Sequence, residues 1–190
     1  GEAAVGPMQG SYLKELPYEQ SSLGAWLNKH PGSLILQPDG HFKSDYDDLK
    51  DYDVKQAVDR DSTIKNKDSL IRKSWLLGVI IDKQPKAYDW RKLTKTCLLN
   101  DRLGMTPLLI SLEDDDHTFH VFGRQVNGKT LTFKQDTTGR FTDNETASTW
   151  NWEGKCISGA SKGRQLAVVQ AYQEYWHSWQ HFHPGTLFWK

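Results

Sequence analysis

The sequence predicts a mainly β fold with short helices, an α+β antiparallel sheet or barrel-like unit, duplicated with its first copy truncated. Three observations carry this expectation. Short apolar runs recur at roughly ten-residue spacing between Gly- and Asn-containing turns, the pattern of an antiparallel β fold. One run, SWLLGVII at 74–81, is apolar almost throughout, as a strand buried on both faces must be. Residues 1–37 also repeat, without a gap, in residues 154–190. Ten of the 37 columns are identical at a constant offset of 153: Gly1, Gly6, Gly10, Leu13, Gln20, Trp26, His30, Pro31, Gly32 and Leu34 recur as Gly154, Gly159, Gly163, Leu166, Gln173, Trp179, His183, Pro184, Gly185 and Leu187. A repeat of this kind is sought first, because missing it miscalls the architecture.

The repeated segment has a readable form. Its three glycines suit a turn where the backbone takes positive φ. An alternating run follows, at 165–169 and at 12–16 in the first copy, and reads as a strand. Tyr172, Tyr175, Trp176 and Trp179 recur at three- and four-residue steps and predict a helix over 171–182, with Trp179 and its counterpart Trp26 facing inward. The His-Pro-Gly tripeptide stops each helix, since proline lacks the N–H a helix interior needs. Residues 186–189 return as a strand. Ser21 or Ser22 is the expected N-cap of a helix over 23–29.

These landmarks divide the chain into three. Residues 1–37 read as the C-terminal segment of a first repeat unit, so the chain is expected to open inside a domain. Residues 38–68 carry nine Asp against five Lys and one Arg, and read as an acidic linker with a short helix near 49–58. The Asp cluster at 45, 47, 48, 51 and 53 lacks the glycine and closing glutamate of an EF-hand, so a solvated face is expected. Residues 69–190 are the complete second unit. In it, 74–81 and 86–89 pair as strands across Gln84-Pro85, 90–96 makes one or two helical turns, and 107–112 and 118–126 flank an acidic turn at 113–117. Asn127-Gly128 marks a tight hairpin and Gly139 a further turn before Phe141.

Composition excludes several functions. Lys plus Arg and Asp plus Glu are both 24, so the formal net charge is zero, against a general nucleic-acid binder. No apolar run approaches the length that crosses a bilayer as a helix. Cys97 and Cys156 could form one disulfide or remain two thiols, and the count does not choose a compartment.

Taken together, Trp75, Gly78, Val79, Lys86, Ala87, Tyr88, Asn100, Asp101, Gly104 and Pro107 resemble the bacterial and archaeal DUF3179 family. Gly128, Leu131 and Phe133 extend the likeness, as does the series from Asp143, Thr146, Ser148 and Trp150 through the second copy's glycines to Pro184. The resemblance covers about 69–190, with 1–37 as the tail of a preceding copy. It implies a bacterial protein that is periplasmic, extracellular or lipid-anchored, and it implies no activity or cofactor. Family members commonly carry a Cys-x-x-Cys after the strand containing the Pro107-like proline. Here those positions fall on Glu113 and Asp116, so thiol chemistry is not expected of this copy.

Candidate site residues are few. Glu113, Asp114 and Asp116 could offer carboxylates to a hard cation, against the plainer reading of a solvated turn. His117 and His120 are three apart on an expected strand and so point to opposite faces. His177 and His181 have chelating i, i+4 spacing on the expected helix, with His183 just beyond. Asp143, Thr146, Ser148 and Trp150 read as a turn and strand start, and a pocket beside Arg140, Asp143 and Trp150 is the alternative. The functional expectation is a non-catalytic binding or structural module that assembles with the rest of the first repeat or with a partner chain. The alternative is a metal- or redox-dependent enzyme whose cofactor residues lie partly in the missing copy.

Overall fold

The computed structural model describes residues 1–13, 16, 18–45, 70, 73–135 and 140–189. The helix expected near 49–58, most of the acidic linker and Gly139 lie outside the described residues. The fold is mainly β, and its sheets stay open rather than closing into a barrel.

Three four-stranded sheets stack in layers. The first has the order β13-β1-β2-β14, where β1 is Trp75–Ile81, β2 Gln84–Asp89, β13 Ala171–Tyr175 and β14 Leu187–Phe188. The second has the order β12-β5-β4-β3, from β3 Leu98–Leu103, β4 Thr106–Leu112, β5 Phe119–Gly123 and β12 Ala167–Val168. The third has the order β11-β10-β9-β8, from β8 Phe133–Gln135, β9 Phe141–Asp143, β10 Thr149–Trp150 and β11 Cys156–Ser158. A separate hairpin joins β6 Gln125–Val126 to β7 Lys129–Thr130. Every pairing is antiparallel except β14 on β2, which is parallel.

Alternation along each strand explains the layers, since successive side chains face opposite sides. On β1, Leu77 and Val79 enter a core shared with Leu108, Ile110 and Leu112 of β4. Leu76 faces the other way, onto Ala87 and Trp179. On β4, Leu109 leaves its neighbours and packs with Phe122, Phe133, Phe141 and Trp150 toward the third sheet. The run at 75–81 is apolar throughout because β1 is covered on both faces.

Among the described residues, three short α-helices are set by local chemistry. Helix α1 is Leu23–Lys29, and the Ser22 side chain accepts from the Ala25 N–H as N-cap. Helix α2 is Trp90–Thr96, with Asp89 accepting from the Arg91 N–H. Helix α3 is Trp176–Phe182, and the helix expected from 171 therefore starts five residues late. Residues Ala171–Tyr175 form β13 instead and pair with Trp75–Val79 of β1. Tyr172 and Tyr175 fit a helical step, but the open edge of β1 draws them into a strand, where they face opposite sides. Trp75 stacks on Tyr175 with ring centroids 4.0 Å apart.

Other boundaries also move. The hairpin between β1 and β2 turns at Asp82 and Lys83, both at positive φ, so Gln84 and Pro85 lie within β2. The strand expected over 118–126 breaks at Arg124, whose guanidinium donates to the Leu131 carbonyl at 2.6 Å and the Leu108 carbonyl at 3.1 Å. Asn127 and Gly128 are both at positive φ, as a tight hairpin turn requires. Cys97 and Cys156 are free thiols, the first half-buried and the second buried.

The two repeated segments carry the same backbone bonds at the offset of 153. Ala3 N–H to Ser11 O, 2.9 Å, has its counterpart in Cys156 N–H to Arg164 O, 2.8 Å. Gly10 to Ala3 matches Gly163 to Cys156, and Leu13 to Gly1 matches Leu166 to Gly154, all four at 2.9 Å. The isolated bridge Glu2–Tyr12 matches Lys155–Gln165. Gly6 and Gly159 have φ of 91° and 92°. Both helices end on a histidine whose N–H bonds the tryptophan carbonyl at 2.8 Å. In each, that histidine ring lies 4.2 Å from the tryptophan ring. Even the indole N–H groups correspond: Trp26 donates to Ser33 Oγ at 2.8 Å and Trp179 to Thr186 Oγ1 at 2.9 Å.

Packing separates the two segments. Trp179 is fully buried, as expected, but Trp26 is 40% exposed. Leu166 is 1% exposed and Leu13 81%. Among the described residues of 1–45, none is buried. Residues 75–150 supply the β layers that enclose Leu166 and Trp179, whereas Leu13 and Trp26 meet no comparable layers.

Candidate functional site

Two features stand out, a cleft and an apolar surface. The cleft holds about 370 Å³ and lies where the extended segment 18–20 faces β5, β12 and β13, with Glu153 at its margin. His120 and Phe122, two apart on β5, share its wall and stack with centroids 5.9 Å apart and planes within 7°. Val168, Val169 and Ala171 give it an apolar side, and Tyr18, Glu19 and Gln20 a polar one.

Beside it is a chain of charge. His120 Nε2 lies 2.7 Å from Glu113 Oε1, and Lys29 Nζ lies 3.4 Å from the same oxygen. Lys29 also sits 2.8 Å from Glu19 and 3.9 Å from Glu153. The hydrogen bond from His120 holds the Glu113 carboxyl below its ordinary value, helped by the Lys29 charge and opposed by burial. Burial pushes the Lys29 ammonium down, but bonds and charge from Glu19 and Glu113 outweigh it, so its pKa is raised.

The acidic turn is held from within. Asp115 accepts from the His117 N–H at 2.9 Å and from the Thr118 N–H and hydroxyl at 2.7 and 2.6 Å. Burial opposes ionisation of Asp115, and bonds from Ser22, Thr118 and His117 overcome it, leaving its pKa lowered. Asp114 and Asp116 are exposed, and Asp116 takes positive φ in the turn. Glu113, Asp114 and Asp116 therefore do not converge. His117 is exposed in the turn, outside β5, and His120 is buried on that strand, so the alternation argued from their spacing does not apply. His177 and His181 share α3, the first stacked 5.7 Å from Tyr175 and the second exposed at 5.0 Å from Phe182. Among the described residues, no three His, Cys, Asp or Glu side chains group as a metal site would need.

Asp143 and Trp150 are sealed inside the third sheet rather than lining a pocket, while Arg140 is exposed. The Asp143 carboxylate accepts from the Thr146 N–H and hydroxyl and from the Trp150 indole at 2.9 Å. Ser148 Oγ accepts from the Ser161 N–H at 3.0 Å, tying this turn to the second repeated segment. The group braces structure. Lys29 and Asp115 are not among the sequence candidates, and His120 is weighed there only with His117, since only folding brings 29, 113 and 120 together.

The apolar surface belongs to the first repeated segment. Of seventeen exposed large hydrophobics among the described residues, twelve fall within 1–45, including Met8, Leu13, Trp26 and Leu34. Single exposed hydrophobics are ordinary, but here most of them fall in one stretch of the chain. This segment touches the rest of the chain through polar groups and through the Tyr18 ring, 5.9 Å from that of Tyr172. Gln20 Nε2 donates to its own repeat counterpart, Gln173 Oε1, at 2.8 Å, and the Ser22 N–H to Thr118 Oγ1 at 3.1 Å.

Fold and site together define a layered, mainly antiparallel β module with a largely apolar cleft and a first segment whose large hydrophobics are exposed. The chain belongs to the DUF3179 family, described as proteins of unknown function, whose model matches residues 1–186. The match runs through 1–68 as well as through the 69–190 that the residue resemblance covers. No curated protein and no solved structure matches.

Proposed function

We propose that this chain is a non-catalytic binding or structural module that acts by assembly with another domain or chain. One observation carries the reading: Leu13 and Trp26 are 81% and 40% exposed, while their counterparts Leu166 and Trp179 are 1% and 0% exposed in the same local conformation. Fully burying such a side chain contributes about 1.5–3 kcal/mol, so a segment shaped like a buried one gains by finding its cover. Location outside the cytoplasm is part of this reading and rests on the family resemblance.

Hydroxyl-radical footprinting of the protein in the cells that make it, and again after purification as a lone chain, tests the reading. Protection of Met8, Leu13 and Trp26 in the cell and its loss on isolation is expected. Equal reactivity in both samples overturns it.

A metal- or redox-dependent enzyme is the second reading, favoured by the Glu113–His120 pair beside the cleft. Elemental analysis and an absorbance spectrum of the purified protein test it. A metal or chromophore bound in stoichiometric amount, and lost in Glu113→Gln, would promote it.

A further inference from the structure

We infer that the described residues of 1–36 form a docking face for a second β-body of this same fold, which places a strand glycine under Trp26, an apolar pocket around Leu13 and a strand edge beside Leu34 and Ile35. This rests on the assembly reading above and names the partner. The second repeated segment displays the arrangement. Trp179 lies on Gly78 of β1, so close that a methyl group there would overlap its ring, and Leu76 and Ala87 complete the seat. Leu166 sits among Leu109, Phe122, Phe133 and Trp150. Leu187 and Phe188 add a parallel strand to β2, opposite Lys86 and Ala87. Residues 13, 26, 34 and 35 stand at the same repeat positions, within the same hydrogen-bond framework.

A second copy of this chain does not meet the requirement, because its own body already holds Leu166, Trp179 and Leu187. A lipid surface would take apolar side chains without selecting a tryptophan over a glycine or a strand edge in parallel register. Strand addition does select them, since main-chain bonds set the register and pockets choose alternate side chains. The face also lies uncommitted for a physical reason. Ser22, Gln20 and Lys29 hold this segment to the present body through Thr118, Gln173 and Glu113, and Tyr18 through Tyr172, leaving Leu13, Trp26, Leu34 and Ile35 for another.

Photo-crosslinking in the full protein, within the cells that make it, tests the inference. A benzoylphenylalanine replaces Trp26 in one variant and Leu34, 99% exposed, in a second, so that one probe site carries no folding role. The partner peptides are identified by mass spectrometry. The expected result is a crosslink from position 26 to a strand with a central glycine between aliphatic residues. Position 34 should reach the next strand of the same hairpin. Crosslinks to lipid, to β1 of another copy of this chain, or to a peptide lacking such a strand pair would overturn the inference. A non-β protein partner at both positions would leave the assembly reading standing. No crosslink at either position, with both variants folded by their melting curves and Met8 and Leu13 reactive in the cell, would overturn both.

Discussion

Trp179 packs directly on Gly78, and no side chain larger than hydrogen fits at position 78 without moving the indole. Gly78 is the midpoint of β1, where glycine ordinarily weakens a strand, so it is present for the close approach it permits. Gly78→Ala should destabilise the protein by about 3 kcal/mol, at the upper end of overpacking costs. Trp179→Ala should cost about 3–5 kcal/mol through the cavity it leaves. The double variant should fall well short of the sum, because the added methyl enters space the indole vacated. Urea denaturation of the four proteins checks this, and simple additivity would refute the contact.

Trp26→Ala is the control for the repeat. In the lone chain Trp26 is not enclosed, so its loss should cost under about 1 kcal/mol by the same denaturation experiment. A cost equal to that of Trp179→Ala would mean that the two tryptophans are packed alike.

Gly159 and Gly6 share the same positive φ, but a methyl on Gly159 would lie 2.6 Å from Ser148 Cα, whereas nothing lies within 4 Å at Gly6. Alanine at either position bears a backbone cost of about 1–2 kcal/mol. Only Gly159→Ala must also move the Asp143–Ser148 turn. Its melting temperature should drop clearly further than that of Gly6→Ala, and equal drops would contradict the close approach.

Glu113 supplies a pH dependence. Its folded pKa lies below the ordinary 4.5, through the hydrogen bond from His120 first and the Lys29 charge second. The unfolded chain therefore takes up this proton more readily, so stability is gained above about pH 4.5 and lost as pH falls through the folded value. In Glu113→Gln that part of the acid slope should vanish. Stability curves of parent and variant should converge as the solution is acidified, and parallel curves would show that the pair is not coupled to folding.

Asp143 is 1% exposed and accepts from both Thr146 and the Trp150 indole. Asp143→Ala leaves that buried indole N–H unsatisfied and should cost about 2–4 kcal/mol, counting the desolvated donor and the lost turn bonds. Asp143→Asn keeps one acceptor and should cost less, as thermal melts of the pair would report.

Much of this fold was legible because local rules set it. Ser22 and Asp89 cap helices at the positions their types favour, and Asn127-Gly128 forms the turn that its positive φ angles allow. Legibility failed where a distant partner decided. Tyr172, Tyr175, Trp176 and Trp179 satisfy a helical period, yet Ala171–Tyr175 became strand because β1 offered an open edge. The cleft was hidden for the same reason. Glu113 was a candidate for its charge, but its partners Lys29 and His120 are 84 and 7 positions away and meet it only in the fold. The repeat was visible as letters, while the unequal burial of Trp26 and Trp179 depends on what surrounds each one.

The placing of β13 and β14 bears on how the molecule is made. They flank the β1–β2 hairpin on both sides, so Trp75 waits for Tyr175 and Lys86 for Leu187. Contacts of such sequence separation form slowly, because a long loop must close before they reward it. On a ribosome, the hairpin emerges with two open edges and keeps them until roughly a hundred further residues have been synthesised, a window in which unpaired strands recruit one another. The interval between making the first strand and sealing it is therefore written into the topology, and a chaperone that shields strand edges would have its work there.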